Sequence, residues 1–403
     1  MKRRGVTLKL LGVVLSAALL VGAMGTFHQT WAAPAKHVKI GSVMPITGPL
    51  AVLGLAFNRG WQLYLDKINS QGGLKIGDEA YVFDLISEDS KLSAEGASTA
   101  AKKLINQDKV DYVVGGIMEF ELEAIYQVTS ARKVPFIIAN INVPGHQADV
   151  SPKKPFLVRL FYSHDDSHSI DLDYLVKAYP KAKKMVIVAP DVDYDRMIEH
   201  LTAQAKAVGI DVAGVAKWAF GTTDFIPTYT KALAMNPEVI WAMVSGQATY
   251  QLMAARQLGF KGPFISNVPL GPEVFQHVVN DPTALTDVIT NGVDLSKPNE
   301  AIKDVMERWQ AKFKDPFVSD CLAAWDQTWI LTQAMEKAKS VAGDKVIAAL
   351  ETMTVPGSLK TCFGPGQMGG AKRFGVNRVL TRPLPLTRIM NGKTEFIGFM
   401  TVK

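Results

Sequence analysis

Two histidines four apart with acids between them form the sharpest metal-type pattern in the chain, His164-Asp165-Asp166-Ser167-His168. On a helix that spacing brings both imidazoles to one face, as zinc sites use. The surrounding residues read instead as a strand-to-helix turn in which Asp166 or Ser167 caps the next helix. No metal or other cofactor is therefore expected, and His168 is kept as a polar group able to reach a cleft. Gly364-Pro365-Gly366-Gln367-Met368-Gly369 matches the dinucleotide fingerprint letter by letter, yet no helical pattern follows Gly369 and a proline occupies the turn, so it reads as a loop. No phosphate-binding loop, G-x-S-x-G elbow or H-E-x-x-H pair occurs, and without a nucleophile-and-base motif the chain is expected not to be an enzyme. Cys321 and Cys362 lack metal-type spacing. In an oxidising compartment they would close a loop of roughly 40 residues with a disulfide worth about 3 to 4 kcal/mol; the alternative is two separate buried thiols.

The elements that would carry a site follow one grammar. Ile40 to Gly73 opens with an apolar strand, turns through Pro45-Ile46-Thr47-Gly48-Pro49, and continues with Phe57, Trp61, Tyr64, Leu65 and Ile68 on one helical stripe before Gly72-Gly73. Strand, turn and helix then recur. Strands are predicted at 81–86, 111–114, 134–138, 156–162, 185–189, 211–220, 239–244 and 264–266, with helices at 93–106, 119–131, 167–179, 194–208, 225–235 and 250–258 between them. From Asn299 the pattern is helical, over 301–313, 319–339 and 343–353, and from Ser358 glycine-rich and then β-rich. Trp325, Trp329 and Leu322 at helical spacing read as core of the long helix. Short apolar strands alternating with amphipathic helices imply two parallel sheets, each covered on both faces.

Residues 1–35 read as an export leader. Lys2, Arg3 and Arg4 precede an apolar run from Leu8 to Met24, and Ala33-Pro34-Ala35 is a small-residue cleavage site. A retained membrane anchor is the rival reading of that run, and Arg3-Arg4 followed by Val6 fits the general secretory route better than twin-arginine export. Setting aside the leader's four basic residues leaves 40 basic against 38 acidic, a near-balance that argues against nucleic acid as a partner despite a pI near 9.0. No cysteine stands at the cleavage site to take a lipid, so a periplasmic product without a lipid anchor is expected. The remaining 368 residues suffice for two domains.

In sheets of this kind ligands bind beyond the carboxyl ends of the strands, where loops feed helix N-termini. That singles out Pro45 to Gly54, Gly116 to Glu121, Asn140 to Asn142, Ser163 to His168, Pro190 to Asp195, Ser245 to Ala248 and Ser266 to Leu270. Two such lobes facing each other would form a cleft.

"KIGSVMPITGP", "INSQGG", "VDYVVGG", "VPFIIA", Asp191-x-x-Tyr194, "GTTDF" and "ARQLGF" occur in the order and approximate spacing that resemble the leucine/isoleucine/valine-binding protein family. These are the type I periplasmic solute receptors of branched-chain amino acid ABC importers. The resemblance implies an α/β fold of two Rossmann-like lobes with parallel sheets, joined by three crossovers near Arg159, Val293 and Ser358. Lobe 1 would comprise 36–159 and 293–357, and lobe 2 would comprise 160–292 and 358–403. It also implies a monomer that traps a small-molecule solute by hinge closure, with membrane permease and ATPase subunits as partners. A periplasmic sensor feeding a signalling partner is the alternative.

Departures from the family bear on the ligand. Met118 and Glu119 stand where the family holds a carboxylate-binding hydroxyl, Asn140-Ile141-Asn142 replaces a Ser-Ala-Thr type segment, and Leu53 replaces an aromatic residue. The second lobe's ammonium-pairing acid becomes Asn267 or Val268, while Tyr194 is kept, followed by Asp195 in place of glycine. A zwitterion lacking those partners would be poorly held, since buried charges need pairing. The expected solute is therefore an aromatic or aliphatic acid or an amide. Leu53, Met118, Phe120 and Ile141 would form an apolar wall, with Glu119, Asn140, Asn142, His168, Tyr194, Gln247 and Asn267 as polar contacts.

Overall fold

A computed structural model describes residues 35–402 apart from 49, 141–142, 145–146, 193, 220, 244–246 and 268–270. The leader reading thus lies outside the described residues except for Ala35. The chain builds β1 (Lys36–Met44), α1 (Ala51–Ser70), β2 (Leu74–Ile76), β3 (Glu79–Asp89), α2 (Ala94–Lys103) with a π-helical turn at Leu104–Asp108, β4 (Tyr112–Gly115), α3 (Glu119–Ala131), β5 (Phe136–Ile138) and β6 (Leu157–Arg159). A second cycle follows: α4 (His164–Ala178), β7 (Lys184–Pro190), α5 (Asp195–Ala207), β8 (Asp211–Trp218), α6 (Ile226–Ala234), β9 (Val239–Met243), α7 (Ala248–Gln257), β10 (Phe264–Asn267), α8 (Pro272–Val278) and β11 (Val288–Thr290). Then come α9 (Glu300–Lys312), α10 (Cys321–Ala338), α11 (Gly343–Thr352), β12 (Leu359–Thr361), β13 (Gly364–Gly369), α12 (Ala371–Phe374), β14 (Val379–Thr381), β15 (Leu384–Met390) and β16 (Lys393–Met400).

Two sheets result, ordered β12-β13-β14-β6-β5-β4-β1-β3-β2 and β16-β15-β11-β10-β9-β7-β8. Within each, five central strands run parallel, from β6 to β3 in the first and from β11 to β8 in the second. The inner strands β4, β5, β6, β9 and β11 are buried on both faces, as a parallel ladder covered by crossover helices requires, while β3 and β8 are only partly buried. The fold class expected from the sequence is the one found. The strands β2 and β11 had no predicted counterpart, since three residues carry too little periodicity to show, and neither did the short helices α8 and α12.

Lobe 1 is closed by helices that come from both ends of the sequence. The predicted stripe of α1 is buried, with Trp61 donating to Gln327 of α10 at 3.0 Å and the Tyr64 hydroxyl meeting Thr332 at 2.7 Å. Gly60 permits that approach, because a Cβ there would lie 2.2 Å from the Cys321 carbonyl oxygen. Trp325 and Leu322 are core, as expected, and Trp325 sets its edge on Tyr64.

Three sequence expectations are corrected here. Gly364–Gly369 is strand β13, paired antiparallel on both sides, not a loop. The His164–His168 segment is the first turn of α4, capped by Ser163 in place of Asp166 or Ser167, with Asp166 completing the capping box. Cys321 and Cys362 are free buried thiols in place of the expected disulfide; the Cys362 amide donates to Asp326 at 2.7 Å, and both side chains serve as core packing.

The chain passes between sheets three times: after Arg159, after Thr290, and at Arg382-Pro383. The third passage was expected at Ser358, but 359–381 joins the first sheet through β12, β13 and β14. Arg382 marks the true passage. Its guanidinium is buried 3.6 Å over the Phe363 ring and 5.4 Å from Tyr162 of the first passage, beside the Asp326 carboxylate at 3.8 Å. Removing one member of a buried pair strands the other charge. Arg382→Ala is expected to lower unfolding stability by about 3 to 5 kcal/mol in urea titration, and Arg382→Met with Asp326→Leu to lose much less.

Candidate functional site

All parallel strands of a sheet end on one side, and a few residues decide what each end presents. Gly115 and Gly116 at the end of β4 have φ of 131° and 70°, and a Cβ on Gly115 would lie 2.1 Å from the Val43 carbonyl oxygen. The Gly116 amide donates to that same carbonyl at 2.9 Å. The chain leaves β4 tight against β1, which sets Ile117, Met118 and the start of α3 at the carboxyl end of the sheet.

Carboxylates of the chain itself occupy the polar groups there. Glu121, fully buried, accepts the Ile117 amide at 3.0 Å and the Met118 amide at 2.9 Å. Burial pushes its carboxyl up, against the Ser90 hydroxyl and those amides. Asp89 at the end of β3 accepts the Ile46 amide at 3.1 Å, the Thr47 hydroxyl at 2.5 Å and the Lys91 amide at 2.9 Å. Burial opposes its charge, but the Thr47 hydroxyl and the amides outweigh it and hold the carboxyl below the usual range. Asn140 donates its side-chain amide to the Ile117 carbonyl, and Arg159, paired with buried Asp149, donates to the Asn140 carbonyl at 3.1 Å.

Lobe 2 contributes Tyr194, the residue before α5, which is 6% exposed. Its phenol is raised well above the ordinary tyrosine value, first by burial and then by the charge of Glu119. Glu119, whose charge adds to that rise, is 8% exposed at the first position of α3. Toward the surface, Lys217 pairs with Asp195 at 2.7 Å and Asp191 at 3.7 Å.

Of the expected set, Met118, Glu119 and Asn140 stand at the lobe 1 strand ends, and Tyr194 stands in lobe 2 between β7 and α5. Leu53 is partly buried in the first turn of α1, packed on the core. Phe120 is 42% exposed, and Gln247 donates its amide to the Thr222 carbonyl at 3.1 Å. His168 does not reach a cleft: it is fully buried inside lobe 2, edge-on to Trp241 and bonded to Gln204 at 3.1 Å, because α4 begins one turn earlier than expected. Ile141 and Asn142 lie outside the described residues, as does the side chain of Asn267, whose backbone ends β10. Asp89 and Glu121 were not anticipated. Glu121 stands three residues after Met118, the spacing of a capping box, which is the signal that would have found it. Among the described residues no cluster of three or more metal-ligating side chains occurs, and no helix is long and apolar enough to cross a membrane.

The three passages between sheets meet at a cavity of 20 Å³, about one water molecule in size. Tyr162, Asn291, Ser319, Asp320 and Arg382 line it. Burial pushes the Asp320 carboxyl up to about 7, its own backbone amide opposing and Glu273 of α8 adding to the rise. Burial likewise raises Asp326 to about 6, against the attraction of Arg382.

Two α/β lobes joined by three chain passages, with polar groups of both at the carboxyl strand ends, define a two-lobed receptor architecture. The chain belongs to the periplasmic binding protein family, whose profile matches residues 37–393. It is 23% identical over 391 residues to Leu/Ile/Val-binding protein homolog 8 of Brucella melitensis, covering 91% of this chain and 89% of that one. Its fold is similar to that of the branched-chain amino acid substrate-binding protein LivJ of Streptococcus pneumoniae, solved with isoleucine, at a TM-score of 0.72 and 20% identity, covering 90% of this chain and 100% of that one. It is also similar to an ABC transporter solute-binding protein of R. palustris solved with benzoate, at 0.69 and 21%, covering 90% and 96%.

A carboxyl whose pKa is raised on folding supports the native state below its unfolded value and loses that support as pH climbs through the folded value. For Asp320 the window runs from the model-peptide value of 3.8 to about 7. Asp320→Asn is expected to match the wild type in urea stability at pH 4 and to exceed it by on the order of 2 to 4 kcal/mol at pH 8.

Proposed function

We propose that this protein is the solute-capturing receptor of an ABC importer, working in the periplasm as a monomer after removal of residues 1–35. The observation that supports the reading is the pair of sheets joined by three chain passages, with Glu119 of lobe 1 and Tyr194 of lobe 2, both nine-tenths buried, at the starts of the helices that follow carboxyl strand ends. A site divided between lobes is completed only when they close, so a solute bound there favours the closed form by its extra contacts in that form. Affinity would come from burial between the lobes, and selectivity from the few polar groups at the strand ends. Membrane permease and ATPase subunits would receive the closed form. The ligands with which the structural neighbours were solved, isoleucine and benzoate, support a small organic solute as the class.

The test is a thermal-shift screen of the purified protein against amino acids, aromatic acids, short aliphatic acids, amides and urea. A ligand at a hundred times its Kd adds about 2.7 kcal/mol to the native state and raises the midpoint accordingly. Tyr194→Ala is expected to weaken binding of the hit by about tenfold or more. Leucine is expected to give no calorimetric binding at micromolar concentration, and its tight binding would overturn the departure from the family's usual ligand.

A further inference from the structure

Two arginines tie the lobes to each other outside the three chain passages. Arg373 belongs to α12, on the link between β13 and β14 of the first sheet, and its neighbour Phe374 is buried in an apolar cluster of lobe 1. The Arg373 guanidinium donates to the Asp166 carboxylate at 2.7 Å. Asp166 stands in the first turn of α4, a helix that packs on α5, β10 and β15 of lobe 2. Only 3% of the Asp166 side chain is exposed, so this pair is screened less by salt than one in open water.

The second tie lies at the carboxyl strand ends. Arg196, in the first turn of α5 after β7, donates its Nε to the Pro144 carbonyl at 3.4 Å, in the loop that leaves β5 of the other lobe. The Arg196 side chain is half-exposed, and Glu199 of its own helix stands 3.8 Å from the guanidinium. A longer bond, open to water and shared with a neighbouring carboxylate, is the weaker of the two.

Neither tie belongs to the covalent hinge. Rotation of one lobe against the other leaves the chain passages connected but separates groups that different lobes carry. Within its own lobe Asp166 already has a task that needs no arginine, completing the capping box of α4 with Ser163. Given the receptor reading above, we infer that Arg373 and Arg196 form an interlobe latch that holds the lobes at the angle seen here before a solute arrives. The latch raises the closed fraction of the unliganded protein. A solute that binds the closed form then binds more tightly, because apparent affinity scales with the fraction of the competent form. Salt weakens the latch, and the Arg196 arm more than the Arg373 arm.

The chain offers its own reporter positions. Val52 in the first turn of α1 and Tyr250 in that of α7 are exposed, one on each lobe, while Cys321 and Cys362 are fully buried. The whole protein carrying Val52→Cys and Tyr250→Cys is spin-labelled, stripped of bound solute by unfolding and refolding, and its label separation is read by pulsed electron paramagnetic resonance. The short separation is expected to dominate at low salt and to lose ground at about 1 M salt, where the Debye length is about 3 Å. Adding Arg373→Gln and Arg196→Gln, checked for an unchanged circular dichroism spectrum, is expected to lower the ratio of short to long separation about fivefold. A ratio unchanged by the two arginine substitutions overturns the latch. If the ratio then still differs between protein as purified and protein stripped of solute, lobe closure and the receptor reading stand without it. One separation in every sample removes both together.

Discussion

The buried guanidinium of Arg382 is the joint on which the two lobes depend. It lies on the last passage of chain between the sheets, yet its charge is held inside lobe 1 by Asp326 of α10, against the face of Phe363 and beside Tyr162 of the first passage. A cation over an aromatic face and beside a carboxylate is well held only in one arrangement. The strand ends of the two sheets are held together through that arrangement, because the three passages that join the sheets meet beside it. The core supports the same reading: one apolar cluster runs from the first sheet through Leu160, Phe161, Tyr162 and Val293 into the second.

The two lobes divide the chemistry unequally. Lobe 1 brings carboxylates to its strand ends and uses them to satisfy its own amides, a self-capping arrangement. Lobe 2 brings an uncharged phenol. The dipoles around Asp89 and Glu121 are already fixed by hydrogen bonds, so this end of lobe 1 needs little reorganisation to keep its shape.

Most of the scaffold was legible in the sequence, because long helices and buried strands carry their periodicity openly. The span of α3 coincided with its expected range, and the stripe of α1 is buried as its spacing implied. What was illegible depends on contacts between distant residues. Leu359–Thr381 carries no mark of which sheet it will join; that is decided by pairing of β14 with β6, some 220 residues earlier. The cysteines could be read as bridged or separate, and only the packing around Asp326 settles them as free thiols. His168 illustrates a one-turn error: moving the start of α4 from Ser167 to His164 carries the imidazole from the first turn of the helix, at the strand end, into the core. The site was half legible, since strand ends name the loops but do not say which side chains the chain spends on capping itself.

The late return of β14 to the first sheet and of β15 to the second has a consequence for biogenesis. Neither sheet is complete until residues beyond 379 are available, since β14 flanks β6 and β15 flanks β11. A chain emerging from N to C terminus would therefore hold two unfinished sheets with open edges until nearly its whole length had appeared. With the export proposed for this chain, that delay would keep the polypeptide threadable and place the commitment to the native state on the far side of the membrane.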